Sequence, residues 1–200
     1  IKIGIICLGA TIIFGEIIKS GAYGLAQALL VVLVVWYFAF WISRKWFGVD
    51  DEMSTMIASS VSICGVSAAI ATCGTIRGNQ KKLSYVISLV MVVAIPMLYI
   101  MPLLCDWILP FIFPNNDLAA QQVAGAWLGG TIDTTGAVVA SGKFLGETAE
   151  KYSVIIKSSQ NVLLGVAAFF ISIYWSLKQT HKETKPSPKL IWERFPKFVI

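Results

Sequence analysis

The sequence predicts an all-α protein that crosses a membrane several times, and three observations lead to this fold class. First, 56% of the 200 residues are hydrophobic and only 14% are charged, whereas an average soluble domain is about 25% charged. Second, charged residues are absent from four long stretches, residues 20–43, 53–76, 83–105 and 158–177. Third, each stretch has the roughly 20 residues that a helix needs to cross a bilayer. A lipid bilayer is therefore the expected surroundings.

Residues 1–178 form the predicted transmembrane region. Its composition predicts four full crossing helices, at residues 2–18, 22–43, 81–107 and 152–177. Gly21 is expected to form a turn between the first two, and Pro96 and Pro102 to bend the third. Residues 179–197 are predicted to be a basic cytoplasmic loop, and residues 198–200 to begin a further apolar segment. Because the chain begins and ends in apolar runs, we expect it to be a fragment of a larger transporter.

The net charge of +5 comes largely from basic residues near the C-terminus. Cytoplasmic loops of membrane proteins carry an excess of lysine and arginine. This bias accounts for the charge, so we expect no nucleic-acid partner.

Two further segments, residues 51–76 and 118–142, differ from the crossing helices because they are rich in small and hydroxyl-bearing residues. Such residues suit positions surrounded by protein, where backbones approach closely. The first segment is flanked on both sides by basic residues, which favours entering and leaving from the cytoplasmic face. The loop before the second segment has two acids and no base, which favours the outer face. The alternative, in which both segments cross completely, stays open.

The two segments also resemble each other when they are aligned at an offset of 69 residues. Residues 62–71 (Ser-Ile-Cys-Gly-Val-Ser-Ala-Ala-Ile-Ala) lie over residues 131–140 (Thr-Ile-Asp-Thr-Thr-Gly-Ala-Val-Val-Ala). Inverted repeats with interrupted helices near the membrane midplane are typical of secondary transporters. Chance similarity between two alanine-rich segments is the alternative.

We expect each segment to be interrupted at this shared motif. A break frees backbone N–H and C=O groups that lipid cannot satisfy, and the N-terminus of the following half-helix carries a partial positive charge. Ser67, Thr134 and Thr135 are candidates to cap these half-helices or to bind a ligand. Continuous helices, in which the hydroxyls bond back to the helix, are the alternative. The candidate substrate- and ion-binding residues are Ser62, Ile63, Cys64, Gly65, Ser67, Thr131, Asp133, Thr134, Thr135, Gly136, Lys157 and Asn161.

Asp133 and Lys157 are the charged members of this set. A carboxylate at membrane depth is costly and usually faces a cavity or a partner, so Asp133 is expected to bind Na⁺ or carry a proton; a helix N-cap is the simpler role. Lys157 is expected to bind an anion or pair with Asp133, or else to extend towards the interface. The amides of Gln160 and Asn161 are expected to point inward.

Several classes of protein lack support in the sequence. It contains no Walker A loop, and neither the HExxH nor the GxSxG motif occurs. Its four cysteines lack the paired spacing of metal ligands. We therefore expect neither an enzyme nor a bound metal or organic cofactor, apart from H⁺ or Na⁺ as a coupling ion.

Residues 62–71 resemble a signature of the YeiH-like family of proposed sulfate exporters. Residues 44–50 resemble that family's loop before the signature, residues 127–140 resemble its second motif, and Lys157 falls where the family tends to have a basic residue. The second motif departs from the commoner pattern, because Asp133 stands where that pattern has histidine. A histidine-based proton relay is therefore not expected here.

The resemblance implies a helical transporter with inverted repeats, related to cation–proton antiporters and bile-acid-type symporters. Together with the residues, it predicts a multi-pass bacterial inner-membrane transporter that moves a small, sulfate-like anion coupled to H⁺ or Na⁺. A cation–proton antiporter, and a non-transporting membrane subunit or receptor, are the alternatives. The sequence leaves open the substrate, the direction of transport and whether the protein forms a homo-oligomer.

Overall fold

In the computed structural model, residues 14–180 are described, with side chains described for residues 24–175, and every element in this part is helical. The α-helices are α1 (Phe14–Lys45), α2 (Asp51–Ser59), α3 (Val66–Ile76), α4 (Gln80–Ile112), α5 (Asp117–Thr131), α6 (Thr135–Leu145) and α7 (Glu147–Thr180). A π-helical turn, Ser60–Cys64, continues α2.

Three described helical segments are long and apolar enough to cross a membrane: Gly24–Lys45, Gln80–Ile112 and Glu147–Trp175. Many large apolar side chains on these helices are exposed. Lipid, rather than water, is the medium in which such surfaces are stable. The predicted all-helical membrane fold is confirmed.

The turn predicted at Gly21 is wrong, because α1 runs without interruption from Phe14 to Lys45. A glycine costs a helix only about 1 kcal/mol relative to alanine, whereas a break exposed to lipid leaves several polar groups unpaired. Most of the helix predicted at residues 2–18 lies outside the described residues, and so does nearly all of the predicted loop at 179–197 and the segment at 198–200.

Three predicted segments are shorter than the helices that the structure contains. Helix α4 continues beyond residue 107 to Ile112 and includes Pro102 and Pro110, so only residues 113–116 join it to α5. Helix α7 begins at Glu147 rather than residue 152, and the second small-residue segment extends from Asp117 to Leu145. Membrane helices tolerate proline because neighbouring groups can satisfy the carbonyl that it leaves free.

The chain divides into two compact units, and each contains one of the two small-residue segments. Of the described residues, 32–95 and 161–180 form one unit, which contains hairpin one (α2, the π-helical turn and α3). Residues 14–31 and 96–160 form the other, which contains hairpin two (α5 and α6).

Hairpin one folds back so that its two ends meet. Lys82, in the first turn of α4, donates hydrogen bonds to Asp50 at 2.6 Å and to Glu52 at 2.9 Å, and the Asn79 N–H donates to Glu52 as well. A straight crossing helix over residues 51–76 would be about 39 Å long, so its ends could not make these contacts. Between the ends, a core joins α2 and α3 to α4 through Met56, Ala69, Cys73, Ile76, Leu83, Val86 and Val90.

Hairpin two also returns to its starting point. A Cβ at Gly146, just after α6, would lie 3.2 Å from Gln121 Oε1 in the second turn of α5. Leu145 and Asp117 line the same cavity of about 160 Å³. The contacts of both segments therefore favour the re-entrant interpretation over complete crossing. The core of hairpin two joins it to α4 through Met101, Cys105, Leu109, Ala124, Leu128, Ile132, Ala137 and Val138.

Hairpin two packs against α7 through glycines. A Cβ at Gly125 would lie 2.5 Å from the Ala149 carbonyl oxygen and 2.8 Å from Tyr152 Cβ. One at Gly129 would collide with the Ser153 carbonyl oxygen, and one at Gly142 would lie 2.5 Å from Ser153 Oγ. Only glycine permits this approach of backbones, which is a common packing mode of membrane helices. It fixes the break in hairpin two beside the side chains of α7.

Candidate ion and substrate site

The helix of hairpin two is interrupted at Ile132, Asp133 and Thr134, as the sequence predicts. The last bond of α5 runs from the Ile132 N–H to the Leu128 carbonyl, and the first bond of α6 runs from the Val138 N–H to the Thr134 carbonyl. Ile132 and Thr134 have extended backbone conformations. The interruption therefore frees carbonyls at the end of α5 and N–H groups at the start of α6.

One freed carbonyl is satisfied by a side chain of α7. Gln160 Nε2 donates a hydrogen bond of 3.2 Å to the Gly130 carbonyl oxygen. Gln160 Oε1 in turn accepts a bond of 3.1 Å from Lys157 Nζ. Gln160 and Lys157 are only 1% and 2% exposed. The break and the buried ammonium are therefore joined through one amide.

Asp133 lies in the interruption itself and is 6% exposed. Its carboxylate is close enough to the Lys157 ammonium for the two charges to interact. The structure thus brings together, in one nearly dry site, the two charged residues singled out in the sequence.

The N-terminus of α6 completes this site. Thr134 occupies the N-cap position, but its side chain makes no capping hydrogen bond. The capping alternative is therefore wrong for Thr134, and its other role, ligand binding, stays a prediction. A Cβ at Gly136 would meet no atom within 4 Å, which means that space is open beside the first turn. Thr131, Thr134 and Thr135 are partly buried around the break. The start of α6 is therefore open on the side of Gly136, which is exposed.

Hairpin one is interrupted differently. Ser60–Cys64 form a π-helical turn, closed by a hydrogen bond of 2.8 Å from the Gly65 N–H to the Ser60 carbonyl oxygen. Gly65 then has φ +56°, a conformation that favours glycine, and α3 starts at Val66. The predicted interruption at Ile63–Gly65 is therefore present.

The side chains at this first break are neutral. Ile63, Cys64 and the hydroxyl of Ser62 are buried. Ser62 Oγ donates a long bond of 3.4 Å to the Ser59 carbonyl oxygen, as the back-bonding alternative predicts. Ser67 is exposed on α3, whose N-cap is Gly65. The capping alternative is therefore wrong for Ser67, and its other role, ligand binding, stays a prediction. Asn161 belongs to the same unit as hairpin one and is partly buried on α7.

The two second half-helices match the predicted offset. Val66 and Thr135 begin α3 and α6, Ile76 and Leu145 end them, and the members of each pair are 69 residues apart. Both helices have 11 residues. Each is followed by a residue with positive φ, Arg77 in one hairpin and Gly146 in the other. This agreement supports an internal repeat, and the inverted symmetry of the repeat stays a prediction.

Sequence reasoning missed the contact of Gln160 with Gly130 and the glycine packing of α5 on α7. The inward direction of Gln160 was expected, but its partner was not. The spacing Gly125-x-x-x-Gly129 is the signal that could have found the packing surface, because two glycines four residues apart lie on one face of a helix.

The sequence profile of the family described as "Conserved hypothetical protein 698" matches residues 1–200. The chain belongs to this family. It is 38% identical over 202 residues to a UPF0324 membrane protein of Nitratidesulfovibrio vulgaris, a match that covers the whole chain and 33% of that relative. It is 37% identical over 207 residues to UPF0324 membrane protein RB9488 of Rhodopirellula baltica, a match that covers the whole chain and 36% of that relative. The chain thus spans about a third of the length of these relatives.

The resemblance to the YeiH-like family is also confirmed. The chain is 29% identical over 185 residues to the UPF0324 inner membrane protein YeiH of Escherichia coli strain K12, with 90% of the chain and 49% of YeiH covered. No solved structure matches the chain. With its membrane-crossing helices, this kinship identifies a multi-pass protein of the bacterial cell membrane.

Proposed function

We propose that this chain is part of a secondary transporter in the bacterial inner membrane that moves a small, sulfate-like anion coupled to H⁺ or Na⁺. The observation that carries the proposal is the interruption at residues 132–134. It places a buried carboxylate, a nearby buried ammonium and the open start of a half-helix in one site. Interrupted helices built from paired segments are the binding elements of several transporter folds.

An anion is attracted by two features of this site. The first turn of α6 presents N–H groups and the positive end of the helix dipole, and the space beside Gly136 is open. Lys157 adds a full positive charge, which burial makes more effective than it would be in water. A tetrahedral oxyanion can accept several hydrogen bonds from such donors at once.

Asp133 provides the coupling in this mechanism. An ionised carboxylate beside the same N–H groups repels an entering anion. When a proton or Na⁺ binds Asp133, that repulsion disappears, so the cation and the anion load together. Release of the cation on the other side restores the repulsion and expels the anion. The coupling therefore follows from the sign of the charges in one site.

A cation–proton antiporter is the second candidate, because Asp133 and the freed carbonyls at the end of α5 are oxygen ligands suited to Na⁺. In that case the substrate is Na⁺ itself, and H⁺ replaces it on Asp133. A non-transporting subunit predicts continuous helices at both motifs, and the interruptions in the two hairpins argue against it.

The test is transport by purified protein in proteoliposomes, with labelled sulfate as the anion and an imposed pH or Na⁺ gradient. Asp133→Asn keeps the shape of the side chain but cannot bind a cation by charge. We expect it to remove the stimulation of sulfate flux by the gradient while leaving a slow, uncoupled flux. Asp117→Asn is the matched control, since Asp117 is exposed at the start of α5, and it should behave as the wild type. Gradient-driven Na⁺/H⁺ exchange without sulfate flux would favour the second candidate, and unaltered coupling in Asp133→Asn would remove Asp133 from the mechanism.

A further inference from the structure

A cavity of about 160 Å³ lies where the two ends of hairpin two meet, and the residues of the break at Asp133 do not line it. Its walls come from α4, α5 and the end of α6, and Leu109, Ala120 and Leu145 make much of them apolar. A cavity of roughly 150 Å³ accommodates a molecule of the size of benzene. A small organic molecule therefore fits here, and these side chains would cover its apolar part.

Asp106 is a charged residue of this cavity for which the fold provides no partner. It belongs to α4, a helix long and apolar enough to cross a membrane. Within the described part of the chain, it forms no ion pair and no side-chain hydrogen bond. Ionisable residues in such helices pair with another group or face a cavity. Asp117 also lines the cavity, but it lies in the first turn of α5, where the helix dipole stabilises a carboxylate.

Two further polar side chains line the same cavity. Gln121 is half-buried in α5, and its amide makes no hydrogen bond to any residue that the structure describes. The Cys105 thiol is 1% exposed and likewise has no hydrogen-bond partner among those residues. None of the lining residues is basic. The cavity therefore combines a carboxylate and an amide, both of which accept hydrogen bonds, with an apolar wall.

We propose that this cavity binds an organic ammonium group that carries a short alkyl chain, with Asp106 as its counter-ion and the Gln121 amide as a second acceptor. A protonated amine has three N–H donors, and its bond to a carboxylate is roughly twice as strong as a bond between neutral groups. The apolar wall covers the alkyl chain. Since the charged lining residues are both acidic, an anion is disfavoured. This site does not rest on the proposed function of Asp133.

A metal ion suits the cavity less well than an ammonium group. Ca²⁺ takes about six to eight oxygen ligands, whereas the described residues include no group of three His, Cys, Asp or Glu side chains that could hold a metal. The ammonium group has two possible sources, a soluble amine and the headgroup of phosphatidylethanolamine. Trp107 and Phe111, which follow Asp106 on α4, are 68% and 78% exposed. Exposed aromatic residues are typical of the membrane–water interface, a level that both sources reach.

The test is equilibrium dialysis of labelled butylamine against the purified protein in phosphatidylcholine nanodiscs. We expect saturable binding to the wild type and binding roughly tenfold weaker or more in Asp106→Asn, the effect of losing a hydrogen bond between charged groups. Ala120→Leu keeps Asp106 but fills the cavity, so it should abolish binding. Glu147→Gln is the matched control, because Glu147 is an exposed acid outside the cavity, and it should bind butylamine as the wild type does.

Cys105 reports where the amine binds. Butylamine should slow the alkylation of Cys105 by a small thiol reagent, as measured by mass spectrometry of peptides, and this protection should disappear in Asp106→Asn. Cys73 is also buried but does not line the cavity, so its alkylation should not change. Protection of both thiols alike, or of neither, would contradict binding in this cavity.

Nanodiscs of phosphatidylethanolamine distinguish the two sources of the ammonium group. If the lipid headgroup is the ligand, it competes with butylamine and raises the apparent Kd several-fold relative to phosphatidylcholine, whose quaternary nitrogen has no N–H. Equal affinity in the two lipids identifies a soluble amine. The inference is overturned if the wild type does not bind butylamine saturably, or if Asp106→Asn binds it unaltered. Binding of labelled Ca²⁺ that depends on Asp106, without binding of butylamine, would overturn it in favour of a metal site.

Discussion

The two hairpins share one plan but interrupt their helices by different means. Hairpin one uses a π-helical turn that ends at Gly65, a residue with positive φ. Hairpin two instead has extended backbone with negative φ at Ile132 and Thr134, on either side of Asp133. The first break is lined by neutral serine and cysteine side chains, while the second holds Asp133 close to Lys157.

This difference suggests different roles for the two breaks, one in folding and the other in ion coupling. In hairpin one the π-helical turn keeps the Gly65 N–H paired with the Ser60 carbonyl oxygen. In hairpin two the backbone opens further, and Gln160 satisfies a freed carbonyl. We therefore expect substitutions in hairpin one to act mainly on folding, and those at the break of hairpin two to act mainly on ion coupling.

Hairpin two is held against α7 by close glycine packing, and a substitution in this packing surface has the largest expected effect on stability. Gly129→Ala puts a methyl group into the Ser153 backbone and within 3.0 Å of Ile156 Cβ. Because backbone cannot yield as a side chain can, we expect a loss of about 1–3 kcal/mol, the usual cost of overpacking. Thermal or denaturant unfolding in detergent would measure it.

Gly136→Ala is the matched control in the same hairpin. Its methyl group would meet nothing within 4 Å, and alanine is a better helix former than glycine, so stability should be unchanged or higher. Equal losses in Gly129→Ala and Gly136→Ala would contradict the close packing of α5 on α7.

Residues 65 and 134 sharpen the comparison of the two breaks, since they precede the two second half-helices at equivalent positions. Gly65 has φ +56° and ψ −116°, whereas Thr134 has φ −106°. An alanine at 65 is strained, which costs about 1–3 kcal/mol. Thr134→Ala should cost less than about 0.5 kcal/mol, because the Thr134 side chain makes no capping bond. Equal stability of the two variants would show that the breaks are built alike.

The sequence predicts the elements that depend on local chemistry. The interruptions at Gly65 and Asp133 follow from small and hydroxyl residues placed where lipid-facing side chains would otherwise be needed. The offset of 69 residues locates both second half-helices. The turn at Gly21 is wrong for the same kind of reason, because one glycine is a weak signal when the surroundings require a continuous helix.

Contacts between distant residues could not be predicted in the same way. Gln160 meets Gly130 across 30 positions, and only the packing of α5 on α7 brings them together. The predicted end of α4 is too early and the predicted start of α7 is too late, because prolines and charges near helix ends are weak signals of a boundary. In a membrane the cost of unpaired backbone groups carries helices past such residues.

The smallest effect on stability is expected at the mouth of each hairpin, which we define as the place where its first and last residues meet. Lys82 links Asp50 and Glu52 at the mouth of hairpin one, whereas the mouth of hairpin two is a cavity lined by Asp106 and Asp117. Partial burial opposes ionisation of Asp50, but the hydrogen bond and charge of Lys82 outweigh it and lower the pKa of Asp50.

Lys82→Gln removes this contact. Since the Asp50 side chain is 50% exposed, we expect a loss of only about 0.2–1 kcal/mol, smaller at high salt. A lowered folded-state pKa stabilises the protein above the unfolded-state pKa of about 3.9, and this contribution is lost as the pH falls through the folded-state pKa. The difference between Lys82→Gln and wild type should therefore be present at neutral pH and shrink in acid, while Lys81→Gln, which changes the adjacent exposed lysine, should show no such pH dependence. A difference that stays constant into acid would mean that the lysine stabilises the mouth of hairpin one by packing rather than by charge.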